Sequence, residues 1–409
     1  MISFMRLVPP SVLSLLAAAV MVGGVSAVST QSGGGTPGPS RAAATFRLLV
    51  RTGQAAPDGG TFAEFSDPTN NGSGDLLFGA VVTDRDRVRE TLYFAGGSKL
   101  KALLSSGAPA PTGGTFSTFS DLLLSDRGTI GFLAKTTDRV AWEGVYLLRA
   151  GKAVPIARIG ERTPAGGVFT DFANPTINAR DEVAFVGRMT GQEGIFINAD
   201  GSTKPVLMSG QPAPEGGVFE FFLDGSPWLN DRGDMAFVAS TTVHHLQGVY
   251  VLVDGQPATV VTTDDEAPVG GLFTEFGSVG LTNEGTVCFI GRSSRSATPE
   301  ALYVTGRAVL VTLAAFGQAV EGGPLTKFAN VVIDSREDVV FQLSLPIVPQ
   351  ALYLATRAGV RPIALAGDRA PGGGLFTAFS TPTLNDAGQV AFVAETDDGR
   401  HGIYVVTLP

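Results

Sequence analysis

A chain of 409 residues is long enough for two or three ordinary domains or for one large repetitive one, so a small cross-linked scaffold is excluded. It is 44% hydrophobic and only 16% charged, which excludes a charge-driven disordered chain, while 53 Gly and 25 Pro suit many short strands joined by tight turns, an all-β class. The net charge of −9 without a Lys or Arg run argues against a nucleic-acid partner, and one cysteine with three histidines leaves no intramolecular disulfide, Cys-based zinc cluster or His-rich metal site.

Residues 1–27 read as a signal peptide. Arg6 precedes a largely apolar stretch from Leu7 to Val28, and Val25, Ser26 and Ala27 supply the small residues of a cleavage site. An uncleaved anchor is the alternative, set against Pro9 and Pro10 within the stretch. No Cys follows to carry a lipid, and no later apolar run of about 18 residues exists to span a membrane. Residues 28–45 have the Gly, Ser, Thr, Pro and Ala composition of a flexible linker, so the folded part is expected over 46–409.

From there the pattern Gly-x-x-x-Pro-x-Gly-Gly-x-Phe recurs seven times, opening at Gly53, Gly107, Gly160, Gly210, Asp264, Gly317 and Gly367. A unit of about 52 residues suits a propeller blade of four strands. Each unit places a first aromatic (Phe62, Phe116, Phe169, Phe219, Phe273, Phe376, with Leu325 in the sixth) and a second Phe three residues on. A turn then opens at Asn71, Ser125, Asn178, Asn230, Thr282, Asp334 or Asn385, whose side chains accept a hydrogen bond from the backbone two residues on. Gly follows three residues later in five units, with Asp181 and Glu337 in the other two. A third Phe, such as Phe185, marks the second strand and a Tyr, or Phe196, the third. The last unit lacks a fourth strand, and Arg47 to Gly53 reads as an orphan one, so pairing the two would close the ring and leave no exposed edge. The expectation is a seven-bladed β-propeller closed by its N-terminal strand; a β-solenoid is the alternative.

The segments Asn178 to Phe185, Asn230 to Phe237 and Asn385 to Phe392 resemble the bacterial exported tandem-repeat family named for its Asn-x-x-Gly-x-x-Ala-Phe motif, of the choice-of-anchor type, and the resemblance covers residues 46–408. It implies an exported, propeller-like repeat protein without an established activity, often carrying a C-terminal anchoring tail. The chain ends on a strand with neither apolar tail nor basic cluster, which favours release or periplasmic retention over surface anchoring.

In a propeller the loops between second and third strands share a face with the blade-to-blade connections. The spacing from the third-strand aromatic to the next opening residue is constant at 14, whereas second-strand Phe to third-strand aromatic varies from 11 to 15. Variable loops on a fixed frame are where binding sites are built. The candidate ligand-binding residues are Trp142, to stack on a sugar or cover a neighbouring blade; Trp228, to enter the central channel or pack; His244, His245 and His401, as acid-base groups or solvated loop residues; and Arg292. Asp264, Asp265 and Glu266 are weak candidates for Ca2+ and otherwise solvated turn residues; no other cofactor is implied. Cys288 takes a position held elsewhere by Ala, hence a small core residue, and all six Tyr are frame residues, which leaves no separate tyrosine nucleophile.

Two functions are open. One is an exported, monomeric, non-catalytic propeller presenting the variable-loop face to a glycan, an envelope component or a protein, in the periplasm or outside the cell. The other is a glycan-active hydrolase or lyase using loop groups at the channel mouth, such as Asp84, Asp138, Glu143 and Arg292, for which two carboxyl groups about 5 to 10 Å apart in one pocket would speak.

Overall fold

The computed structural model describes residues 45–408 apart from 86, 112, 150, 224–226, 244–245, 295–296, 307–308 and 345–349. The expected signal segment, all but the last residue of the linker, and the His244–His245 pair lie outside the described residues. Strands alternate with short turns throughout, and no described residue is helical.

Seven antiparallel sheets of four main strands follow one another around a ring, the arrangement of a seven-bladed β-propeller. Blade 2 shows the pattern: inner strand Phe116–Leu124, second strand Ile130–Thr136, third strand Glu143–Arg149 and outer strand Lys152–Arg158. Blade 7 takes its outer strand from the start of the chain. Thr45–Arg51 pairs antiparallel with His401–Thr407, Phe46 opposite Val406 and Arg51 opposite Gly402. The orphan strand read from the sequence therefore closes the ring.

The aromatic repeat explains how the blades hold together. In blade 1, Phe78 stacks on Tyr93 at 5.6 Å between ring centroids and Phe62 meets the same Tyr edge-on at 5.1 Å. The set recurs around the ring, as in Phe185 on Phe196 at 5.8 Å and Phe237 on Tyr250 at 5.5 Å. Such pairs add about 0.5–1.5 kcal/mol beyond the area that they bury. The core is divided into seven apolar clusters, each shared by adjacent blades: Phe62, Phe78 and Tyr93 of blade 1 pack with Ala391, Val393 and Ile403 of blade 7. A blade is therefore only half of each core that it helps to build. Cys288, fully buried, is one of these core groups, and burial pushes its thiol up to about 12.

The connections and turns use the left-handed backbone region, as their glycines require. Gly74 in the first blade's turn has φ 79°, and Asp181 and Glu337, which replace the equivalent glycine, adopt φ 66° and 65°. Asp264 in turn takes φ 74° where other units open on Gly. Asp tolerates this region better than most residues because its short polar side chain bonds locally.

Candidate functional site

The two ends of the channel are built differently. At the turn end, the residues opening the seven turns do more than satisfy their own turn. Asn71 Nδ2 donates to Ser125 O of the next blade at 3.3 Å, Asn178 to Asn230 O at 3.0 Å, Asn230 to Thr282 O at 3.1 Å and Asn385 to Asn71 O at 2.7 Å. Ser125 and Thr282 lack that amide. There the following blade carries the acid in place of Gly: Ser125 Oγ donates to Asp181 Oδ1 at 2.5 Å, and Thr286 Oγ1 to Glu337 Oε1 at 2.9 Å. Between blades 6 and 7 the Ser335 N–H donates to Asp386 Oδ1 at 2.8 Å. A belt of hydrogen bonds thus crosses all seven interfaces. It surrounds a cleft of about 170 Å3 on the axis, one wall of which is Trp228. Trp228 lies on the inner strand, half-buried, and packs against the core shared with blade 5.

At the loop end a second device was hidden in the stretch that reads as variable. The residue three before each third-strand aromatic forms a column: Glu90, Glu143, Glu193, Gln247, Glu300, Gln350 and His401. Five of them reach across to the next blade and accept the N–H of its second inner-strand Phe. Glu90 accepts from Phe119 at 3.3 Å, Glu193 from Phe222 at 2.5 Å and Gln247 from Phe276 at 2.6 Å. Glu300 accepts from Phe328 at 2.8 Å and Gln350 from Phe379 at 2.8 Å. The signal available in the sequence was the fixed offset from the aromatic, obscured because the loop before it changes length.

The sequence candidates are distributed over this frame. Arg292 is not a loop residue: it lies in the second strand Val287–Ser293 of blade 5, between Glu275 and Glu300, with both ion pairs at 3.1 Å. Strand pairing runs to Ser293 and carries Arg292 opposite Glu300 and Glu275. Arg188 of blade 3 holds Asp171 at 2.7 Å and Glu193 at 3.3 Å in the same way. His401 likewise opens the last strand rather than lying in a loop, and its N–H donates to Thr52 Oγ1 at 3.2 Å. Beside it, where the closing strand meets blade 7, lies an open crevice of about 590 Å3 with Arg51 and Arg400 on its walls. Trp142 ends the blade 2 loop, 41% exposed, with Lys135 Nζ 5.7 Å from its ring centroid. Trp142, Arg292 and His401 thus share the loop end but belong to blades 2, 5 and 7, while Trp228 is at the opposite end.

Electrostatically, the acids of the loop end fall into two groups. The Arg292 and Arg188 guanidinium groups each stand between two carboxylates and fill the gap between them. Glu90 and Glu143 are instead pushed up by burial. All six Tyr are buried, and burial pushes the Tyr303 phenol up to about 12, so their hydroxyl groups are poor nucleophiles. Among the described residues, no three His, Cys, Asp or Glu side chains are placed to hold one metal ion. No helix among them is long and apolar enough to cross a membrane.

No curated protein matches the chain. Among solved structures it is similar to a puromycin-hydrolysing peptidase of Mycobacterium tuberculosis, with 15% identity and a TM-score of 0.50 over 83% of this chain and 51% of that one. It is also similar to an acylaminoacyl peptidase of Pyrococcus horikoshii, with 12% identity and a TM-score of 0.50 over 84% and 51%. The sialidase of Trypanosoma rangeli aligns at 11% identity and a TM-score of 0.38 over 88% of this chain and 59% of that one. The chain spans about half the length of the two peptidases, and at such identities the fold is what is shared. One family model, DUF7453, matches residues 24–194, 149–272 and 243–406, so that successive matches overlap around the ring. The chain therefore belongs to DUF7453, a family of unknown function.

Proposed function

We propose that the protein is an exported, monomeric, non-catalytic propeller that binds its ligand on the loop end, and that it works outside the cytoplasm, in the periplasm or beyond, without a cofactor. The resemblance to the choice-of-anchor repeat proteins supports export. The observation that carries the binding assignment is the exposure of apolar side chains at the loop ends of adjacent hairpins. Val88 of blade 1 is 70% exposed, and Val140 and Trp142 of blade 2 are 73% and 41% exposed. Single exposed apolar residues are ordinary, but neighbouring hairpin ends that carry several mark a contact surface. The turn end offers a contrast, since its polar side chains are already committed to the belt.

A glycan-active enzyme is the second reading, and Glu143 is the observation behind it: burial holds this carboxyl protonated to higher pH than usual, as a general acid needs. The carboxylate pairs elsewhere on the face are bridged by arginine, which favours the binding role.

Thermal unfolding of the full-length protein against neutral and acidic glycans, envelope proteins and Ca2+ tests the proposal. A ligand at about 100 times its Kd adds roughly 2.7 kcal/mol of stability. The expected result is a saturable shift abolished by replacing the Asp138 to Glu143 loop. A shift that survives this replacement and is lost on changing Trp228 would overturn the assignment of the face.

A further inference from the structure

We propose that Lys135, Trp142 and Glu143 at the loop end of blade 2 form a binding site for an uncharged hydroxyl-bearing ring, a sugar unit of a neutral glycan. This rests on the loop end being the binding face. The starting observation is a departure from the clamp that five other blades show. Glu90, Glu193 and Glu300 occupy the position of Glu143 and use it to accept an inner-strand amide of the next blade. Glu143 makes no such bond to Phe172. Its residue is only 6% exposed, and among the described residues its carboxyl has no hydrogen-bond or ion-pair partner. The Glu143 oxygens are not among the fully buried polar atoms left without a partner, so they reach the surface, whereas the same residue type is engaged at three equivalent places on the same frame.

The surroundings name the chemistry that would satisfy it. Lys135 and Glu143 are cross-strand partners at the loop end of the blade 2 hairpin. They nevertheless form no ion pair; Lys135 Nζ instead lies 5.7 Å from the Trp142 ring centroid. An acceptor and a donor thus stand apart beside a partly exposed indole. A sugar ring fits all three: one hydroxyl donates to the Glu143 carboxylate, another accepts from the Lys135 ammonium, and the C–H face lies on the indole. Charge argues for neutrality. Lys135 opposes a cation and Glu143 opposes an anion, while Asp171 is held by Arg188 at 2.7 Å.

The test uses the two-tryptophan composition of the chain. In full-length protein carrying Trp228→Phe, Trp142 is the only indole, and its emission is titrated with uncharged hexasaccharides of glucose and of N-acetylglucosamine and with a hexauronate. A saturable change with a neutral sugar and none with the uronate is expected. Glu143→Gln should weaken binding at least tenfold, and Lys135→Met likewise. Glu143→Gln is safe for the fold because Gln247 and Gln350 occupy the equivalent position. Calorimetric binding of a neutral sugar that neither variant alters would overturn this site while leaving the loop-end reading to loop replacement. Absence of both emission change and binding heat for the neutral sugars, or equal affinity for the uronate, would overturn the proposal outright. Sugar binding accompanied by release of new reducing ends, lost in Glu143→Gln, would uphold the site and overturn the non-catalytic reading.

Discussion

The Ser125–Asp181 contact allows the reciprocity of the turn belt to be measured. The Ser125 hydroxyl is within a residue only 2% exposed and donates to Asp181 Oδ1 at 2.5 Å. A hydrogen bond to a charged group contributes about 1.5–3 kcal/mol, and the partial exposure of Asp181 argues for the lower end. Asp181→Gly removes that bond but also relieves a non-glycine residue at φ 66°, which returns up to about 1 kcal/mol. Net destabilisation of about 0.5–1 kcal/mol is expected. Adding Ser125→Asn recreates the Asn with Gly arrangement of the neighbouring interfaces, so the double variant should recover wild-type stability, with a coupling of about 1–2 kcal/mol. The Arg127–Asp181 pair, at 3.9 Å with Arg127 63% exposed, contributes little to the cycle. Urea unfolding of the four proteins is the suitable assay, since effects of this size move the Tm of a large domain by only a few degrees, about 2–4 °C per kcal/mol or less. Single effects that add within about 0.3 kcal/mol, or Asp181→Gly more stable than wild type, would refute the reciprocity.

Tyr303→Phe should be neutral or stabilising by up to about 1 kcal/mol in urea unfolding, because the Tyr303 hydroxyl is buried without a hydrogen-bond partner. Burial raises the Glu90 and Glu143 carboxyls, so the folded state binds more protons than the unfolded state just above the ordinary Glu range, about 4.3, and stability should fall as pH rises through that window. Glu143→Gln should flatten that fall and raise the urea midpoint at neutral pH. Removing residues 45–51 should leave the edge of the His401–Thr407 strand unpaired and yield concentration-dependent association in size-exclusion chromatography, whereas a protein that stays monomeric would show that the closing strand is dispensable.

The fold was legible because the frame repeats its aromatics in phase. Phe78 and Tyr93 are 15 residues apart in sequence yet stack at 5.6 Å, and an equivalent pair returns in every unit, as Phe185 on Phe196 in the third, across a loop of changing length. The strand signals failed at their ends. Arg292 and His401 follow or precede loops rich in polar residues, and it is pairing with Glu300 and Glu395 that extends the strands over them. The belt and the clamp were invisible for a different reason: each joins a residue to a partner in the next repeat, as Asn178 to Asn230 and Gln247 to Phe276. Within one unit these side chains have only the local roles that turn chemistry supplies. The isolation of Glu143 has no sequence signature at all, since Glu193 at the same position is fully engaged.

Ring closure also sets an order in time. Thr45–Arg51 is the first part of the frame to be synthesised, and its partner His401–Thr407 is the last. Until the final hairpin exists, that opening strand has no neighbour and the half-core around Phe62 and Tyr93 lacks Ile403 and Val405. Blades 2 to 6 can meet their neighbours as they are made, but the first cannot, so the growing chain carries an unpaired strand and an open apolar face for the whole of its synthesis. The ring therefore cannot close until the His401–Thr407 strand has been made.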